Sequence, residues 1–93
     1  MPSGDLSGKV AWITGGGTGI GLAAATEFVK AGATVVVSGR TEKTLKDALK
    51  QVKADAVVCD VAQKEQVTKA AAEIQKRHGR IDILVNSAGI NLP

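Results

Sequence analysis

Thr14-Gly-Gly-Gly-Thr-Gly-Ile-Gly21 constrains this chain more than any other stretch. It follows an apolar run, Val10-Ala-Trp-Ile-Thr14, that reads as a strand. It opens a segment, residues 19–31, in which Ile20, Ala23, Ala24, Phe28 and Ala31 recur at helical spacing. A strand that turns through glycines into a helix gathers bare backbone N–H groups and the positive end of a helix dipole at one point. Such a point binds phosphate. Glycines allow the turn its positive φ, the close approach of a phosphate and the contact of helix with sheet. A glycine turn without a ligand is the competing reading. Two common fingerprints fail. G-x-G-x-x-G would need glycine where Ile20 or Leu22 stands, and a P-loop would need Lys-Ser/Thr where Leu22 and Ala23 follow Gly21. T-G-x-x-x-G-x-G fits, through Thr14, Gly15, Gly19 and Gly21.

The rest of the chain alternates. Gly32 stands where a helix over 19–31 would take a left-handed C-cap. Thr34-Val-Val-Val-Ser38 is β-branched and continuous, which suits a strand buried on both faces. Thr41 can cap a second helix with Glu42 in its first turn, and Leu45, Ala48, Leu49 and Val52 form its apolar face. Residues 56–59 give a third strand. Residues 63–78 give a third helix with Val67, Ala70, Ala71 and Ile74 inward, closed by Gly79. Residues 82–86 give a fourth strand. This β-α-β-α-β-α-β order predicts an α/β, Rossmann-type parallel sheet with strand order 3-2-1-4. It is one half of a doubly wound fold plus the next strand, and so incomplete.

Size and composition narrow the function classes. Ninety-three residues make one domain at most, and a chain of this length buries only about 60–68% of its unfolded surface. Apolar runs are too short to span a bilayer, and residues 1–8 lack the basic and apolar regions of a signal peptide. The single Cys59 excludes an internal disulfide and fits a reducing, cytoplasmic setting. Cys59 and the single His78 are too few for a zinc site, so no metal is expected. The net charge of +3 comes with only Trp12 and Phe28 as large aromatics, which does not suggest a nucleic-acid partner.

Three further motifs fall in order on these elements: Leu6-Ser-Gly-Lys-Val10 before the first strand, Asp60-Val61 after the third, and Asn86-Ser-Ala-Gly89 after the fourth. With the glycine loop they make residues 6–93 resemble the short-chain dehydrogenase/reductase family. Ser87 stands where that family's signature has a second Asn. The resemblance implies a partial NAD(P)-binding Rossmann domain over 1–93. It implies phosphate contacts from Gly15, Gly17, Thr18, Gly19, Ile20 and Gly21, and adenine contacts from Asp60 and Val61. Asn86, Ala88 and Gly89 would lie beside the nicotinamide-side ribose. Asp60 as a helix N-cap, and the Asn86 segment as a plain strand-ending turn, are the alternatives.

The end of the second strand bears on the choice of cofactor. A carboxylate there binds a ribose 2′-hydroxyl and repels a 2′-phosphate. This chain has Ser38-Gly39-Arg40-Thr41, with glycine where NAD-preferring relatives carry Asp. Arg40 supplies a planar cationic fork, and Ser38 and Thr41 supply hydroxyls. NADP(H) is therefore favoured over NAD(H). Arg40 as a solvated turn residue, or stacked on adenine, is the alternative. A methyltransferase would want an acid where Gly39 stands.

The resemblance implies an oxidoreductase moving a hydride between NADP(H) and a carbonyl or alcohol substrate, in a homo-oligomeric parent. Family catalysis needs Ser and Tyr-x-x-x-Lys beyond the Asn86 segment, and this chain has no tyrosine. No catalytic residue is therefore assigned here, and a catalytically inert nucleotide-binding fragment is the alternative. Ile83-Leu84-Val85 reads as a strand buried on both faces, which at a sheet edge would be an apolar liability. A truncated chain that associates or exposes apolar surface is the expectation. Lys43, Lys46, Lys50 and Lys53 read as a solvated row, His78 as a dipole-satisfying cap, Cys59 as an inert thiol, and Trp12 as core whose indole N–H needs a partner.

Overall fold

A computed structural model describes residues 6–17 and 19–87. Its elements run β1 (Val10–Thr14), α1 (Gly19–Lys30), β2 (Thr34–Gly39), α2 (Glu42–Leu49), β3 (Asp55–Val58), α3 (Lys64–His78) and β4 (Ile83–Asn86). All pairings are parallel, and the sheet order is β3-β2-β1-β4, as the alternation predicts. Among the described residues no helix is long and apolar enough to cross a membrane.

The pleat divides the core. On one face Ala11 and Ile13 of β1, with Val35 and Val37 of β2, pack against Ala25 and Phe28 of α1 and Leu45 of α2. On the other face Val10, Trp12 and Val36 pack against Ala70 and Ile74 of α3. Trp12 finds its partner there: its indole N–H donates to the Ser38 hydroxyl at 2.7 Å, both groups buried.

Several local expectations shift. The first helix ends at Lys30 rather than Ala31, and Gly32 takes φ 97° beyond it. Thr41 occupies the N-cap position of α2, but its side chain makes no capping bond. The α2 helix stops at Leu49, which is 36% exposed, while Val52 is buried from the turn that follows. The apolar face is thus Leu45, Ala48 and Val52. The third strand sits one residue early, with Cys59 buried just past its end. Burial, and then the nearby Asp60 charge, raise the Cys59 pKa, which keeps the thiol protonated and inert.

The fourth strand is not buried on both faces. Leu84 is 59% exposed, while Ile83 and Val85 on the opposite face are partly covered. The cause is arithmetic of layers: α1 and α2 share one face, but α3 alone covers the other. It packs over Val57, Val36 and Trp12 and does not reach β4.

A charged clasp joins the end of α3 to the start of β3. Arg77 donates to both Asp55 carboxylate oxygens (3.1 and 3.0 Å), and His78 Nε2 lies 3.1 Å from Asp55 Oδ2. Burial pushes the Asp55 pKa up, but hydrogen bonds from Arg77, His78 and the Ala56 amide hold it below the ordinary carboxylate range. Asp82, bonded by Arg80 and the Val10 amide, is also lowered. A carboxylate depressed in the fold stabilises it above its unfolded pKa and loses that contribution as pH falls through its folded one. The melting temperature should therefore drop below about pH 4, the unfolded carboxylate range. Melts of wild type and Asp55→Asn across acid pH check this. An equally steep acid loss in the variant would remove Asp55 from the account.

Candidate functional site

The carboxyl ends of β1, β2 and β3 open into one cleft of about 480 Å³. This is the edge where parallel sheets hold ligands. Gly15 and Gly17 line it from the glycine loop, Gly39, Arg40 and Thr41 from the end of β2, Thr44 and Leu45 from α2, and Cys59 to Ala62 from the segment after β3.

The loop is locked on its sheet side. The Gly15 and Gly16 amides both donate to the Ser38 carbonyl, at 2.7 and 3.1 Å. Those two N–H groups are therefore committed to the fold. Among the described residues the Gly17 amide has no backbone partner, and the first turn of α1 beside it carries no acidic residue. Gly15 has φ 69°, a conformation that disfavours a side chain. Gly21 is held by space instead: a Cβ there would lie 2.0 Å from the Gly15 carbonyl oxygen and 2.6 Å from Ser87 Oγ. Gly17 meets α2 directly, since a Cβ on it would come within 2.9 Å of the Thr44 methyl.

Gly39 puts no carboxylate at the end of β2, and Asp60 is the acidic residue that lines the cleft, from the segment after β3. Arg40 is exposed and has no ion-pair partner among the described residues. Ser38, expected to turn a hydroxyl to the site, is fully buried with that hydroxyl on Trp12. Its contribution here is the carbonyl that anchors the loop. Past β3, Asp60 Oδ1 accepts from the Ala62 amide at 2.9 Å, which shapes the turn. The N-cap of α3 is Gln63, not Asp60. Val61 is 37% exposed at the rim.

The end of β4 ties to β1. Thr14 Oγ1 donates to Asn86 Oδ1 at 2.9 Å, and Ser87 donates to the Thr14 carbonyl through both its hydroxyl (2.5 Å) and its amide (3.1 Å). Ser87 thereby fastens the loop base from below. The cleft brings together Gly15, Gly17, Arg40, Thr41, Asp60 and Val61. Ile20 stands 47% exposed at the start of α1, and Asn86 lies on the far side of β1 from β2. Thr18, Ala88 and Gly89 lie outside the described residues.

Sequence reasoning missed Thr44, Gly16 and Ser87. Thr44 could have been found by its spacing, three residues past Thr41 and so on the same side of the helix start. Gly16, whose Cβ would fall 2.7 Å from Val37, shows only in three dimensions.

Comparison with known proteins agrees with this fold. The family model for short chain dehydrogenase matches residues 9–93. The human short-chain dehydrogenase/reductase 3 is 40% identical over 92 residues, covering 92% of this chain and 30% of that protein. The crystal structure of 2-keto-3-deoxy-D-gluconate dehydrogenase from Streptococcus agalactiae is 38% identical with a TM-score of 0.88, covering 97% of this chain and 36% of that one. Actinorhodin polyketide ketoreductase, crystallised with NADPH, is 38% identical with a TM-score of 0.84 over 97% of this chain and 36% of its own. The chain thus spans about a third of the length of these relatives.

Proposed function

This chain belongs to the short-chain dehydrogenase family, and from that premise we propose that it holds NADP(H) for an oxidoreductase acting on a carbonyl or alcohol. The observation that carries the cofactor choice is the end of β2, where Gly39 removes any carboxylate and Arg40 and Thr41 line the cleft. The site fits a dinucleotide. Among the described residues the Gly17 amide has no backbone partner and could meet a pyrophosphate, and the positive end of α1 favours its charge. Arg40 would meet the 2′-phosphate, with its planar fork matched to phosphate oxygens. Asp60 and Val61 would border the adenine, and Asn86, Ala88 and Gly89 the nicotinamide-side ribose. The ketoreductase relative solved with NADPH supports the same reading.

The nicotinamide ring would supply the hydride chemistry. The residues of this chain bind and orient. No proton-transfer role is assigned to this chain, which has no tyrosine to serve as the family's acid and base. A second reading, binding without turnover by this chain alone, rests on that same absence and on the third of the relatives' length that it spans.

Titration with NADPH and NADH, on wild type and Arg40→Ala, tests the assignment. Wild type should prefer NADPH. Hydrogen bonds to charged groups are worth about 1.5–3 kcal/mol, so Arg40→Ala should weaken NADPH about tenfold to a hundredfold and leave NADH nearly unchanged. No NADPH advantage in wild type would end the NADP(H) reading.

A further inference from the structure

Trp12 is the chain's only tryptophan, and it lies in the middle of β1. Neither it nor Ser38 borders the cleft. Both are nonetheless joined to the glycine loop. In the sheet register Trp12 stands beside Val36, and Thr14 beside Ser38. The indole N–H therefore reaches diagonally, two residues along β2, to the Ser38 hydroxyl at 2.7 Å. A leucine or phenylalanine at this core position would have no donor to make that bond.

Ser38 is the residue through which the core meets the loop. It is fully buried, with its hydroxyl held by Trp12 on the α3 side of the sheet. Its carbonyl accepts the Gly15 and Gly16 amides at 2.7 and 3.1 Å. Gly15, Gly16 and Gly17 carry no side chain to rest on β2, and a Cβ on Gly16 would lie 2.7 Å from Val37. The direction of one carbonyl thus sets how the loop sits, and two bonds loosen together if it tilts. Linked hydrogen bonds in a low-dielectric interior also strengthen one another.

We infer that Trp12 is a positioning residue for the dinucleotide site: its bond to Ser38 fixes the carbonyl that holds the glycine loop, and so sets the affinity of that loop for a pyrophosphate. Trp12 does this from the core, without touching the ligand. The inference rests on the reading of the glycine loop as the pyrophosphate site and is independent of the choice between NADP(H) and NAD(H). The bond can be removed from either end. Trp12→Phe keeps an aromatic ring in the core and removes the N–H. Ser38→Ala keeps the carbonyl and removes the hydroxyl, and it serves alone if the smaller ring of Trp12→Phe loosens the core.

The test is calorimetric titration of wild type, Trp12→Phe and Ser38→Ala with NADPH and NADH, well below each melting temperature, together with amide hydrogen exchange. The folded variants should bind both dinucleotides about threefold to tenfold more weakly, the scale of one hydrogen bond, and keep the wild-type ratio between them. The Gly15 and Gly16 amides should exchange faster by about the same factor. Those of Ala25 and Ile74, buried on opposite sides of the sheet, should keep their wild-type rates. Wild-type affinity in the folded variants overturns the role of Trp12 while leaving the dinucleotide reading standing. Equal acceleration at all four amides also overturns it, because the bond would then serve the core and not the loop. A wild type that binds neither dinucleotide overturns the pyrophosphate reading, and this inference with it.

Discussion

Gly21→Ala is expected to damage both the fold and the site. An added Cβ would sit 2.0 Å from the Gly15 carbonyl oxygen and 2.6 Å from Ser87 Oγ. The first neighbour is backbone and cannot swing aside. The second holds the Thr14 carbonyl, so moving it loosens the junction of β1 with β4. Overpacking of this kind costs about 1–3 kcal/mol and sometimes more. In a domain of this size each kcal/mol shifts Tm by about 4–8 °C, so a fall of about 4–24 °C is expected. The loop must also shift to make room, and it presents the Gly17 amide. NADPH binding should therefore fall even at temperatures where the variant is folded. Thermal melts and titration check both effects. Wild-type stability with wild-type binding would mean that the loop has slack that this geometry does not show.

Ile74→Ala is the second large effect. Ile74 is fully buried and is the centre of the only helix that covers its face of the sheet among the described residues. Truncating a buried isoleucine costs about 2–5 kcal/mol, because lost transfer energy and a residual cavity add. No second helix on that face can close over the gap. The expected drop in Tm is about 10 °C or more by the same size scaling. Ile20→Ala makes the comparison, since Ile20 is 47% exposed and lies outside the packed face. Surface changes of that kind stay within about 0.5 kcal/mol. Equal losses for the two variants would contradict the assignment of the core.

Most of the architecture was legible because hydrophobic period and glycine placement are local signals. The β-branched run at 34–38 and the helical spacing at 19–31 gave element type, and right-handed crossovers then gave strand order. What escaped was set by packing between elements. Leu84 looks like its apolar neighbours in sequence, and its exposure follows only from how far α3 reaches across the sheet. Ser38 looked like a site hydroxyl, yet the pleat turns it to the opposite face, where Trp12 takes it. The glycine loop, Arg40 and Asp60 were readable from motif spacing. Thr44 was not, because helix periodicity alone sorted the second helix by its apolar face. Its place at the cleft follows from the approach of its methyl to Gly17, a feature of the folded chain.

The described residues contain a second hollow, at the opposite edge of the sheet, bordered by Gly32, Lys53, Asp55 and His78. That gives the central claim a direct control within one molecule. NADPH added to isotope-labelled protein should shift backbone amide resonances of Gly17, Gly21, Arg40, Thr44, Asp60 and Val61, and leave those of Gly32, Lys53, Asp55 and His78 in place. Shifts confined to the second group, or none at saturating NADPH, would contradict the assignment of the cleft at the carboxyl ends of β1, β2 and β3 as the dinucleotide site.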